Sequence, residues 1–168
     1  MPFWALAFNL SWEFIFSFLL SPDSFPLQAL INKVWLAFDV MILIAYFQYG
    51  KNEWPNLISE GLFYPYSLLV IVISFLFVYL LSVELDQSEG KYAAFIQNLM
   101  MSVLFIRMLT RRRSSKGQSV WIAFFKMVGT MAPTLVYGAK SHFILFLGAC
   151  CFIFDLIYLV LLAKVDKT

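Results

Sequence analysis

From residue 62 to residue 83 the chain carries no charged side chain at all. At 1.5 Å per residue such a stretch is long enough to cross the ~30 Å hydrocarbon layer of a bilayer as one helix. In that layer the backbone has no water to bond, so its N–H and C=O groups must be satisfied within the segment, which a helix does. Five further stretches of similar length are predominantly apolar but carry one or two charged residues each, at about 2–20, 29–49, 92–110, 119–139 and 141–163. With 62% hydrophobic and 13% charged residues, the chain lies well below the roughly 25% charge of soluble domains. It is read as a single all-α domain, a polytopic transmembrane bundle of about six helices.

The connections have the composition of turns. Ser21, Pro22 and Asp23 end the first stretch, Gly50 and Lys51 the second, and Trp54 and Pro55 sit in an interfacial loop. Residues 84–90 form an acidic polar loop and 111–119 a basic one. Pro65 falls in a first helical turn, where proline is tolerated, and Pro133 is a candidate kink. The basic residues sort by side. Lys51, Arg111, Arg112, Arg113, Lys116, Lys164 and Lys167 fall on one side, Lys91 and Lys140 on the other with Lys33 close by. The positive-inside rule then places both termini in the cytoplasm, which an even number of helices requires. A net charge of +2 gives no reason to expect a nucleic-acid partner. Cys150 and Cys151 are adjacent in an apolar run and pack as small hydrophobes. The first stretch has no basic lead-in and contains Glu13, so it is read as a membrane helix and not as a cleavable leader. Residues 34–41 resemble 120–127, and residues 8–10 faintly echo 97–99, which fits two three-helix halves in an inverted repeat.

Chemistry enters with the ionisable residues inside the apolar runs. Glu13 has no Lys or Arg near it in sequence, and a carboxylate at the centre of a membrane helix costs about 2.5–3.5 kcal/mol on insertion scales. Asn9 stands one helical turn before it and can hydrogen-bond its carboxyl group. Asp39, Asp155 and Lys126 lie in three other stretches. At 1.5 Å per residue, Glu13, Asp39, Asp155 and Lys126 lie about 16, 15, 12 and 10 Å from the cytoplasmic ends of their helices. Four ionisable groups in one band point to a polar cavity near the midplane, with Lys126 available to neutralise Asp39. Arg107 is shallower and can snorkel.

A carboxylic acid kept from water and from positive charge holds its proton and can serve as a general acid. Two of the acids have aromatic neighbours at helical spacing, Trp35 one turn before Asp39 and Tyr158 three residues after Asp155. Acid groups with aromatic walls suit carbocation chemistry. The acid protonates an alkene or epoxide, and ring faces stabilise the moving positive charge by about 0.5–2 kcal/mol each.

Asn9, Trp12 and Glu13 in one apolar helix, with Phe154, Asp155 and Tyr158 in the last, resemble the small integral-membrane terpene cyclases of fungal meroterpenoid and indole-diterpene pathways and their bacterial relatives. Gly117, Gln118 and Ser119 ahead of Trp121 are also similar. The resemblance implies a metal-independent polyene cyclisation, started by protonating the terminal epoxide or olefin of a prenyl chain on a hydrophobic acceptor. It makes Glu13 and Asp155 the acidic catalytic groups, and Asn9, Trp12, Trp35, Asp39 and Tyr158 the groups around the substrate. It implies no metal and no other cofactor, in keeping with a sequence that has neither an Asp-Asp-x-x-Asp nor an Asp-x-Asp-Asp motif. The partners expected are the lipid bilayer, a prenylated small molecule and, as a further option, a second copy of the chain, in a bacterial plasma membrane or the endoplasmic reticulum. In that family the Asn/Glu motif stands in the second of seven helices; here it stands in the first apolar stretch.

Two other readings use the same residues. Midplane acids also serve as proton relays, and with an inverted repeat they fit a small proton-coupled or lipid-handling transporter. Alternatively the polar residues only hold helices together in a non-catalytic membrane subunit.

Overall fold

A computed structural model describes residues 2–20, 26–54, 59–112, 114–115 and 117–165. Every regular element among these is helical. Helix α1 (Phe3–Phe14) closes in a π-helical turn, Ile15–Leu19. Helix α2 (Pro26–Tyr49) runs into a 3₁₀ turn, Gly50–Glu53, and a second such turn, Glu60–Leu62, leads into α3 (Phe63–Leu85). Helices α4 (Lys91–Arg112), α5 (Val120–Gly138) and α6 (His142–Val165) follow. Five of the six are long and apolar enough to cross a membrane, and the segment Phe3–Leu19 is a shorter apolar helix. The chain is therefore an integral, multi-pass membrane protein.

The helices expected from apolar length are all present, with ends displaced by a few residues. Helix α2 begins three residues earlier than expected, at Pro26, because proline is preset for the first helical turn. The expected turn at Ser21, Pro22 and Asp23, Pro55 of the interfacial loop, and Arg113, Lys116 and Lys167 lie outside the described residues.

The chain divides into two compact units, the first being Phe3–Ala94. In it α1 packs against both α2 and α3. The inward face of α3 is Phe63, Ser67, Val70, Ser74, Val78 and Ser82. Its small residues let another backbone come close, which is how helices associate where no hydrophobic effect drives them together. Ser67 donates to the Phe63 carbonyl at 2.7 Å and pairs with the Tyr46 hydroxyl at 3.2 Å. One end of this unit is aromatic: Phe3 stacks on Tyr46 at 4.0 Å, Trp4 donates to the Tyr66 hydroxyl at 2.8 Å, and the Lys51 ammonium lies 4.4 Å from the Tyr64 ring centre.

The turn from α3 to α4 carries three residues with positive φ, Gln87, Ser88 and Gly90. Asp86 accepts a hydrogen bond from the Tyr92 amide at 2.8 Å, satisfying a free donor at the start of α4. At Gly90 a φ of +71° coincides with close packing, since an added Cβ would run into the Phe16 ring.

The second unit contains the rest of α4 with α5 and α6. Helices α5 and α6 form a tight hairpin in which the Lys140 and Ser141 amides both donate to the Tyr137 carbonyl. Gly148 of α6 lies directly against Thr134 of α5. Helix α5 continues through Pro133 without a break. Around it, Thr130 and Thr134 donate to the carbonyls one turn earlier, Lys126 at 2.9 Å and Thr130 at 2.7 Å. Leu109, Ala123, Tyr158 and Leu162 make the core of this unit. Large apolar side chains such as Leu27, Leu68, Trp121, Ile122 and Phe146 are exposed, as a lipid-facing surface requires.

Candidate active site

Each unit buries its own cluster of ionisable side chains. In the first, Glu13 on α1 and Asp39 on α2 are buried, at 6% and 8% exposure. They belong to helices that pack against each other. Asn9 stands one helical turn before Glu13 on α1. Glu13 Oε2 and Asp39 Oδ2 are both buried without a hydrogen-bond partner among the described residues. The π-helical turn begins two residues after Glu13. Such a turn widens the helix and shifts the register of everything beyond it.

Trp12 does not present its N–H to this pair. Its indole nitrogen donates to the Gly90 carbonyl at 3.2 Å, and its ring leans on Phe16 at 4.8 Å between centres. Trp35, expected beside Asp39, is 53% exposed and looks away from the unit. The inward stripe of α2 runs instead through Ala29, Asn32 and Asp39. Asn32 is only 1% exposed and accepts a hydrogen bond from Gln28 at 2.8 Å. It was missed in the sequence, although its place seven residues before Asp39, two turns along one face, was available as a signal.

The second cluster corrects one expectation outright. Lys126 pairs with Asp155, not with Asp39: its Nζ lies 2.7 Å from Oδ1 and 2.8 Å from Oδ2. It also donates to Ser102 Oγ at 2.8 Å. The reason lies in chain order, because α5 and α6 form a hairpin that brings residues 29 apart into register. Ser102 donates its own hydrogen to the Asn98 carbonyl at 3.0 Å, and Asn98 donates its amide to Thr130 at 2.8 Å. Three helices are tied into one polar network. Ser102 went unremarked in the sequence, though it lies one turn after Asn98 on the same face.

Tyr158 is buried, stacked on Phe105 at 5.5 Å, and donates its hydroxyl to Gln118 Oε1 at 2.8 Å. Gln118 and Tyr158 were separate parts of the family resemblance, and the structure joins them. Asp155 itself is 1% exposed. Arg107 is exposed at the end of α4.

Apolar spans that bury carboxyl groups, two of them with no salt bridge among the described residues and one locked to a lysine, define a membrane protein equipped for acid–base chemistry within its helices. A family model for Pyr4-like transmembrane terpene cyclases matches residues 1–168. A similar curated protein is the Pyr4-family terpene cyclase mfmH of Annulohypoxylon moriforme. It is 25% identical over 186 aligned residues, which cover 99% of this chain and 74% of that protein. No solved structure matches the chain. The chain belongs to the Pyr4-like transmembrane terpene cyclases and is a membrane-bound terpene cyclase.

Proposed function

We propose that this cyclase starts its reaction by protonation, with Glu13 as the donor, on a prenyl chain carried by a hydrophobic acceptor. The observation that carries the reading is the buried pair of Glu13 and Asp39, each with a carboxyl oxygen that no described residue bonds. A carboxyl group buried in an apolar setting is a candidate general acid. No salt bridge among the described residues neutralises either of them. Asn9, one helical turn before Glu13, is the polar side chain at hand to orient it.

In the step itself, the Glu13 O–H bond breaks. Its proton forms a C–H bond with the terminal alkene, or an O–H bond as an epoxide C–O bond opens. The resulting carbocation is attacked by an internal double bond, forming the ring C–C bond, and loss of a proton ends the cascade. Product and substrate have equal mass. Trp12 has its indole N–H engaged by the Gly90 carbonyl, so its ring is the part left to meet a cation. Trp35, exposed, is left out of this role. With the family shown, the transport reading is set aside.

The test uses membranes containing the protein, a panel of prenylated acceptors with a terminal olefin or epoxide, and mass spectrometry. An isomerised product is expected, with one deuterium on carbon when an olefin substrate reacts in D₂O. Glu13→Gln is expected to lose it. Full activity in that variant would reject Glu13 as the donor.

A further inference from the structure

The Lys126 ammonium has three hydrogens, and the network uses all three. Two go to the carboxylate oxygens of Asp155, at 2.7 and 2.8 Å, and one to Ser102, at 2.8 Å. The Lys126 side chain is 16% exposed and that of Asp155 2%, so neither charge is shared with water to any extent. Ser102 cannot turn its hydroxyl hydrogen towards the pair, because the Asn98 carbonyl holds it. A protonated Asp155 would put an O–H against an N–H of the same ammonium. With both oxygens accepting, the side chain is an anion fixed in one orientation. Among the described residues, the other titratable groups close to it are Cys151 and Tyr158 on its own helix. The Cys151 thiol points to the Phe95 carbonyl and the Tyr158 hydroxyl to Gln118, so neither supplies Asp155 with a proton.

We propose that Lys126 is a positioning residue that holds Asp155 as a carboxylate, so that Asp155 acts in the cyclase as a fixed anion and not as a second proton donor. The family resemblance cast Glu13 and Asp155 alike as acids, whereas the geometry divides them. Among the described residues, Glu13 and Asp39 are buried with no salt bridge, whereas Asp155 is buried with a dedicated cation. A carboxylate in a terpene cyclase lowers the energy of cationic intermediates, a role that requires the charge Lys126 preserves. The role in catalysis rests on the cyclase reading given above, while the charge state of Asp155 does not.

Infrared spectroscopy of the reconstituted protein, with ¹³C at the aspartate carboxyl carbons, tests the charge state without any substrate. Subtracting the spectrum of Asp155→Asn is expected to reveal an ionised carboxylate band in the parent protein. Lys126→Met is expected to replace that band with a protonated carboxylic-acid band, and Lys126→Arg to keep it ionised. With a turned-over substrate, Lys126→Met is expected to lower kcat about 100-fold at a nearly constant KM, and Lys126→Arg to recover most of the loss. A protonated-acid band for Asp155 in the parent protein would overturn the proposal. So would Lys126→Met with normal turnover. Should Lys126→Met not fold, Lys126→Arg carries the infrared test, and a protonated band for Asp155 in that variant overturns the proposal equally. An ionised band in a protein that cyclises nothing would count against the cyclase mechanism and leave the pairing intact.

Discussion

Trp12 donates its indole N–H to the carbonyl oxygen of Gly90 at 3.2 Å, across 78 residues of sequence. Trp12 is the immediate neighbour of Glu13, so this bond ties the helix that carries the acid to the turn that starts α4. The contact sets both the rotation and the height of α1 beside that turn.

Trp12→Phe keeps an aromatic ring and removes the donor, leaving the Gly90 carbonyl short of a partner. The expected loss of stability is about 0.5–1.5 kcal/mol, the usual net worth of such a bond. It is read as a lower thermal midpoint of the purified protein in detergent. An unchanged midpoint would mean that the bond does not hold α1 in place.

Gly90→Ala meets two obstacles at once, a φ of +71° and the Phe16 ring. A destabilisation of about 1–3 kcal/mol is expected from strain and overpacking together. Trimming the ring with Phe16→Ala relieves only the second obstacle. The double variant is therefore expected to be less destabilised than the sum of the singles, a coupling that a double-mutant cycle on thermal midpoints measures.

Asp86, just outside the membrane span, gives a pH dependence with a definite sign. Burial raises its carboxyl above the ordinary value of 3.8, outweighing the Tyr92 amide and Lys91, which pull it down. The folded state thus binds this proton more tightly than the unfolded one. The stability it contributes is complete below that ordinary value and is lost as pH rises through the folded-state value. Asp86→Asn keeps an acceptor for the Tyr92 amide and has no charge to bury. Its stability is expected to be flatter over that acid window and not lower than the parent's at neutral pH, as read by thermal denaturation at a series of pH values. A steeper fall in the variant would contradict the assignment.

Asp39→Asn separates the two members of the first cluster. The proposed donor Glu13 remains, but the carboxyl group buried on the adjacent helix is gone. Initial rates are expected to fall about 10-fold, against about 10²- to 10⁴-fold for Glu13→Gln. Equal losses in the two variants would mean that either carboxyl group delivers the proton.

Apolar length was enough to place the helices, because a membrane span has to be continuous and about twenty residues long whatever it packs against. Rotation about each helix axis was not available from the same signal. A helix that is apolar all round gives no contrast between its lipid face and its protein face. Trp35 shows the consequence. Four residues turn a helix by 400°, which puts Trp35 about 40° off the direction of Asp39, whereas seven residues come within about 20°. The buried stripe therefore passes through Asn32 and leaves Trp35 outside. The partner of Lys126 was misjudged for a related reason. Similar depth in the bilayer made Asp39 and Asp155 equivalent candidates, and only the close α5–α6 hairpin distinguishes them. Glu13 and Asp155 were recognisable from the start because a carboxyl group in an apolar span stands out in a way that Ser102 in α4 does not.

The hairpin also bears on how the chain enters the bilayer. A lysine or an aspartate at the centre of a lone helix opposes insertion by about 2.5–3.5 kcal/mol each. Lys126 and Asp155 sit on consecutive helices joined by only a short turn after Gly138. Inserted one at a time, each helix would bring an unmatched charge into the lipid. Inserted as a closed pair, they bring a neutral unit whose opposite charges are already in contact. The ion pair thus makes α5 and α6 a single element of membrane biogenesis.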